Sequence, residues 1–347
     1  MTSTSPRHAA TPDGRRGVGL VLALATGLSA LLALFAWPAV NSAPRDLPIV
    51  ISGPPAATEG VKAALQQHNP GAFEVTVVSD ETAATQRITD HDAYGAFVLT
   101  GNNVEVLTAS ARSSTVAQLL SQAGAGIARA GHLPATTRDV VPAPADDPHG
   151  IGIGVSMLPI ALGSVICAAA STFLIRRRRD RTLVATGFAI AGGFAMTALL
   201  QFWLGTLDGN YLANSGVVSL GIGAVSMMIL GLESLIGPAG IGAGVLLMMI
   251  TGNALSGATS APEMLPTGWG AAGQLLPVGA TNSALRSVAF FDGHGALAPL
   301  IVTGCWLLVG LGLQLAAFLR RRRAAGDTGT VGTAPTDAAP RHQLAAV

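Results

Sequence analysis

Glu233, in the stretch LGLESLIG, is the carboxylate embedded in an apolar run. Ionisable groups are expensive in a hydrocarbon setting and are kept there for function, so this acid is a candidate to carry a proton or bind a cationic substrate. It falls within about one turn of the expected cytoplasmic end of its helix, where a carboxylate can also reach water. Gln201, Gln314 and Asn253 occupy similar runs and can either line a polar pathway or hydrogen-bond between helices. Arg286 stands against the charge trend described below; it pairs with Glu263 or Asp292 and so fixes its segment, or it faces an anionic headgroup. The seven histidines are scattered, with none at metal-ligand spacing, and no serine has a nearby His and acid arrangement. No metal, no cofactor and no catalytic residue is therefore expected, and the chain reads as a non-enzyme. Lys62 is the only lysine and no Walker glycine pattern precedes it, so the chain has no P-loop. Cys167 and Cys305 both lie in apolar runs, which suits small buried hydrophobes and leaves no disulfide framework.

These side chains need a membrane-embedded scaffold. Half of the 347 residues are hydrophobic and only 11% are charged, far from the quarter or so expected of a soluble domain. Crossing a hydrocarbon core takes about 20 apolar residues. Runs of that kind occur at 17–37, 151–175, 182–205, 215–236, 239–256 and 297–319, which predicts about six transmembrane helices. Arginines cluster at Arg15 and Arg16, at Arg176 to Arg179 with Arg181, and at Arg320 to Arg323. Arginines abutting apolar runs act as cytoplasmic anchors, so they are not read as a nucleic-acid site. Both termini are expected on the cytoplasmic side. The chain then divides into a cytoplasmic N-terminus (1–16), an anchor helix (17–40), an exported domain (41–150), a five-helix membrane domain (151–319) and a cytoplasmic tail (320–347). That tail is rich in Ala, Gly, Thr and Pro and is expected to be disordered.

Residues 41–150 change character: acids outnumber bases 11 to 6. LPIVISG, FEVTVVS, YGAFVLT and NVEVLTA alternate like strands, while ATEGVKAALQQHN, ETAATQRITD and SSTVAQLLSQAGAGIARAG carry helical periodicity. The order β-α-β-α-β-β-α predicts a small extracellular α/β sandwich inserted between the first and second spans. The linker VVPAPADDPHG leads from it into the next span.

The segment 257–296 fits neither a span nor a free loop. Pro262, Pro266 and Pro277 interrupt any continuous helix, yet Met264, Leu265, Trp269, Leu275, Leu276 and Val278 are too apolar for open water. Two short helices meeting at LLPVGA, entering from outside and packed on the spans, would satisfy their backbones only if buried in protein or lining a polar cavity. The pattern GNALSG, Pro262, MLP, LLPVGATNSALRS and FF resembles the last extracellular hairpin of ABC-2 type permeases, nearest the phage-infection-protein-like bacterial membrane proteins. The plan of one anchor, one large outer domain and five further spans resembles them too, as does ITDHDAYGAFVL within the outer domain.

That resemblance implies an exporter half in a bacterial cytoplasmic membrane, working as a homodimer or heterodimer. A separate ATP-binding subunit would drive movement of a hydrophobic, lipid-like or polymeric substrate. It also marks Asn253, Gly257, Pro262, Pro266, Pro277, Gly279 and Arg286 as a candidate gate. One departure stands out. The family docks its ATPase through a helix between the second and third spans, and here that stretch is essentially RRRRDR. The alternative expectation is a non-transporting scaffold, or a phage or secretion accessory protein, that binds partners through its extracellular domain.

Overall fold

The computed structural model describes residues 13–328. Five helices are long and apolar enough to cross a membrane: α1 (Asp13–Val40), α5 (Gly152–Leu174), α6 (Arg178–Ala198, continued as a π-helical turn to Trp203), α7 (Tyr211–Ile236) and α12 (Leu297–Thr328). The architecture is that of a mostly helical chain compatible with a multi-pass membrane protein.

The expected sixth span, 239–256, is an apolar helix over Ala239–Leu255, shorter than the five above. It begins as α8 (Ala239–Gly244), passes through a π-helical segment (Val245–Thr251) and ends as α9 (Gly252–Leu255). Its AGIGAG start and the turn at Ser256 and Gly257 limit its length. The tail is corrected. Residues 320–328 continue α12, because the arginine run does not stop a helix; the rest of the expected disordered tail, like most of the N-terminal segment, lies outside the described residues.

Helix α7 is the axis of the bundle, with 78% of its most apolar window buried, against 17% for α12 and none for α1. It packs on α5, α6, α8, α11 and α12. Its crossing with α12 is close because Gly310 sits directly on the backbone of Met227 and Met228, where any β-carbon would collide. α1 meets the remaining helices mainly at α9. The apolar side chains left exposed on α1, α6 and α12 form the surface that lipid would cover.

The sheet domain follows α1. Its strands are β1 (Leu47–Ser52), β2 (Phe73–Val78), β3 (Gly95–Thr100), β4 (Asn103–Thr108) and β5 (Ala135–Asp139), in the order β2-β1-β3-β4-β5. β3 and β4 are antiparallel and the other pairings are parallel. Strand alternation sends Leu47, Ile49, Ile51, Phe97 and Leu99 to one face, beneath α2 (Pro55–His68) and α4 (Ser114–Ala130). It sends Val50, Ala96 and Val98 to the other, beneath α3 (Glu81–Thr89). Four strands and three helices follow the expected order. β5 was not expected: all five of its residues are exposed, so it carries no alternating apolar signal.

The linker before α5 is structured. The Asp147 carboxylate accepts from the backbone amides of Ile151 (3.1 Å) and Gly152 (2.7 Å) and so holds the start of that helix.

Candidate functional site

The segment between α9 and α12 is the part of the bundle that reaches into the sheet domain. Gly257, at φ +63°, turns the chain out of α9, and Pro262 opens a short 3₁₀ turn, Pro262–Met264. The carbonyl of Pro266 accepts from the Trp269 amide at 2.9 Å and sets the start of α10 (Trp269–Gln274). Pro277 is the first residue of α11 (Pro277–Phe290), where a missing N–H costs nothing. The two helices therefore meet at Leu275 to Pro277, within the expected LLPVGA. Gly273 lies against the Leu255 carbonyl and Gly279 against the Gly273 backbone, so neither position has room for a side chain. Gln274 donates to the Ser256 carbonyl (3.1 Å) and accepts from Ser283 (2.6 Å), tying both helices to the end of α9. Trp306 of α12 donates to the Leu275 carbonyl at 2.7 Å.

Arg286 does not pair with Glu263 or Asp292, and that expectation is corrected. Its buried guanidinium donates to three backbone carbonyls: Ala111 in the sheet domain (3.0 Å), Gly150 in the linker (3.2 Å) and Ala258 at the hairpin entrance (3.1 Å). Carbonyl dipoles replace the carboxylate, and the planar fork of five donors suits that task as a lysine would not. One side chain thus joins three separate segments.

Glu263 is engaged elsewhere. It accepts from the Tyr94 hydroxyl at 2.7 Å, and the Arg112 guanidinium lies over the Tyr94 ring at 3.8 Å while donating to the His91 carbonyl at 2.8 Å. Burial raises the Tyr94 phenol above its ordinary range. The His91 ring packs edge-on against Phe291, 4.6 Å between centroids, and sits on Gly295. Burial first, then the charges of Arg112, Arg286 and His294, pull the His91 pKa down to about 3, so the ring is neutral near pH 7. None of His91, Tyr94 or Arg112 was singled out in the sequence. The available signal was Tyr94 itself, one of two tyrosines in the chain, since a buried tyrosine calls for a partner for its hydroxyl.

Packing joins the two parts further. Ala261 and Met264 complete the apolar core under α2 and α4, and Phe291 completes the one under α3. The sheet is gripped on both faces by residues from one segment. Backbone bonds from Ala43 to Met264 and from Arg45 to Glu263, both 3.0 Å, extend the seam.

The remaining candidates lie apart. Asn253 donates to the Met249 carbonyl one turn back (2.9 Å). Gln201 donates to the Gly209 carbonyl (3.0 Å) and accepts from Asn214 (3.3 Å). Gln314 accepts from Thr182 (2.7 Å), joining α12 to α6. Glu233, at the far end of α7, lies 3.2 Å from Arg181 and 3.6 Å from Arg178. Arg181 hydrogen-bonds one carboxylate oxygen and Arg178 lies within ion-pair distance of the other, which gives this acid a structural role between α6 and α7.

Beside the hairpin runs a groove of 520 Å³, bounded by Phe35 and Pro38 of α1, Val155 and Leu158 of α5, and Asn253 and Leu265. Its walls are mostly apolar, with the polar edge of residues 256–260 at one side. Of the candidate gate residues, Asn253 and Gly257 line it, while Pro262 and Arg286 line the polar junction described above. Among the described residues no group of three or more His, Cys, Asp or Glu could hold a metal ion. No protein-family model, curated protein sequence or solved structure matches this chain.

Proposed function

We propose that this chain is a membrane permease subunit of the ABC-2 type, residing in a bacterial cytoplasmic membrane with its sheet domain outside. It works as a dimer and moves a hydrophobic or lipid-like molecule, with energy from a separate ATP-binding subunit. The observation that carries this reading is the groove between α1, α5 and the hairpin: an apolar cleft, polar at one edge, beside a segment fused to the sheet domain. A path of that character accepts an amphipathic molecule from the bilayer side, and movement of the sheet domain would be transmitted to its wall through Met264 and Arg286.

One observation favours a second reading. Only Ile175 to Arg177 separate α5 from α6, which leaves no docking helix for an ATPase. On that reading the chain is a non-transporting membrane protein that binds partners through its sheet domain. Purification from native membranes in mild detergent, with mass spectrometry of stoichiometric partners and an ATP hydrolysis assay, separates the two. A co-purifying nucleotide-binding subunit with ATPase activity supports the permease; reproducible recovery without one overturns it in favour of the partner-binding protein.

A further inference from the structure

At the end of the bundle away from the sheet domain, three helix ends gather arginine. Arg176 and Arg177 lie in the turn before α6, Arg178, Arg179 and Arg181 lie in its first turn, and Arg320 to Arg323 follow the apolar part of α12. The two groups converge. Arg178 lies within charge range of Arg321, and Arg178 and Arg181 flank Glu233 near the end of α7. Nine arginines thus gather with two carboxylates, Glu233 and Asp180, among the described side chains of these helix ends. Glu233 is already matched by its two neighbours. Arg320 and Arg321 are exposed and make no ion pair among the described residues.

Between α7 and α12 this end opens into a pocket of 230 Å³, lined by Ser234, Leu235, Ala317, Arg320 and Arg321. Ser234 is a second, independent sign. It is 7% exposed, and its hydroxyl lines the pocket without a hydrogen bond among the described residues. A hydroxyl so placed is normally bonded, and the pocket is the side from which its partner comes. Two free guanidiniums and one hydroxyl make a donor set suited to a phosphate.

The surroundings select the source of that phosphate. At 1.5 Å per residue the apolar part of α12, 297–319, is about 35 Å long, so Arg320 and Arg321 fall at the rim of a hydrocarbon core about 30 Å thick. Leu315, Phe318 and Leu319 are exposed on α12 just inside that rim. The Arg322 guanidinium lies over the Phe318 ring at 4.6 Å, so charge and apolar surface meet at headgroup depth. Basic pockets between membrane helices suit anionic headgroups in this way. We propose that the pocket between α7 and α12 binds one anionic phospholipid, its phosphate held by Arg320, Arg321 and the Ser234 hydroxyl and its acyl chains lying along α12. The inference rests on these helices crossing a bilayer and holds whether or not the chain transports anything.

The test uses the full chain, delipidated in detergent, with phosphatidylglycerol, phosphatidylcholine of the same acyl chains, or sodium glycerol phosphate added. Native mass spectrometry counts bound lipid and thermal unfolding reads its effect. The expected result is one retained phosphatidylglycerol with a raised unfolding temperature, and neither effect from the other two. The double variant Arg320→Gln, Arg321→Gln is expected to weaken phosphatidylglycerol binding by about tenfold or more, from the loss of two charges near the headgroup. Ser234→Ala is expected to weaken it by a smaller factor. The charge-matched Arg176→Gln, Arg177→Gln protein, altered outside the pocket, is expected to lose far less than the Arg320, Arg321 pair. Three results overturn the proposal: equal retention of phosphatidylglycerol and phosphatidylcholine, equal losses in the two double variants, or stabilisation by glycerol phosphate as large as by the lipid. The second would mean diffuse attraction to a positive surface, and the third a site for a free anion.

Discussion

The two ends of α7 bury arginine in opposite ways. At the sheet-domain end Arg286 is held by three neutral carbonyls from three segments; at the other end Arg178 and Arg181 share the carboxylate of Glu233. Carbonyl dipoles fix direction as well as distance, so the first arrangement specifies how three pieces of chain sit relative to one another. An ion pair is less demanding of angle. The hairpin junction is therefore the more directionally constrained of the two.

The largest test of this difference is Arg286→Ala, which takes the donor from three carbonyls, those of Ala111 and Ala258 in buried contacts and that of Gly150 in a half-buried one. We expect a loss of about 3 kcal/mol or more in stability, with new protease cleavage in residues 257–262 or 140–150, whereas Arg286→Lys recovers part of it. An Arg286→Ala protein with unchanged melting temperature and cleavage pattern would remove the keystone role. Glu233→Gln comes next. Its pair is largely buried, with side-chain exposures of 8% for Glu233 and 14% for Arg181, so the expected cost is about 2 kcal/mol, between exposed and buried limits. A double-mutant cycle with Arg181→Met reads the coupling directly; additive losses would mean the contact contributes nothing.

Acid should act on the hairpin end through His91. The folded-state pKa of His91 is about 3, below the unfolded value of about 6.5. The unfolded chain therefore gains a proton first as pH falls, and the stabilisation present above about 6.5 is lost down to about 3, at about 1.4 kcal/mol per unit. A melting-temperature profile from pH 7 to 5.5 should fall in the wild type, while His91→Gln removes that part of the slope. An identical profile in the variant would show that His91 is not the titrating group. The smallest effect belongs to Arg138, which bridges Glu81 and Glu105 at the exposed sheet edge. Arg138→Ala should cost under about 1 kcal/mol and less still in high salt, as denaturant midpoints would record.

What the sequence disclosed follows the same division. β1 to β4 were legible in their β-branched apolar runs, although β1 and β3 are buried almost throughout and β2 only alternates between half-buried and exposed; the two hairpin helices were legible because Pro277 follows an apolar pair and favours the first position of a helix. β5 was invisible because ATTRD buries nothing and is held only by pairing with β4. The partners of Arg286 were invisible for a different reason: its acceptors are backbone carbonyls, which every residue carries, so no side-chain type announces them. Glu233 is the opposite case. The arginine cluster and Glu233 were both assigned to the same membrane face, and their pairing could have been inferred from that alone. Reading Arg176 to Arg181 only as a topology signal hid it.

The seating of Met264 and Phe291 in the cores of the sheet domain also bears on how the protein is made. All five strands are synthesised before α5, but the side chains that close their two apolar faces come later, Met264 after α9 and Phe291 after α11. For that interval the sheet domain is incomplete, with open apolar patches on both faces. Its completion therefore waits on synthesis of the downstream segments, and a stalled or truncated chain would leave those patches open to quality-control machinery.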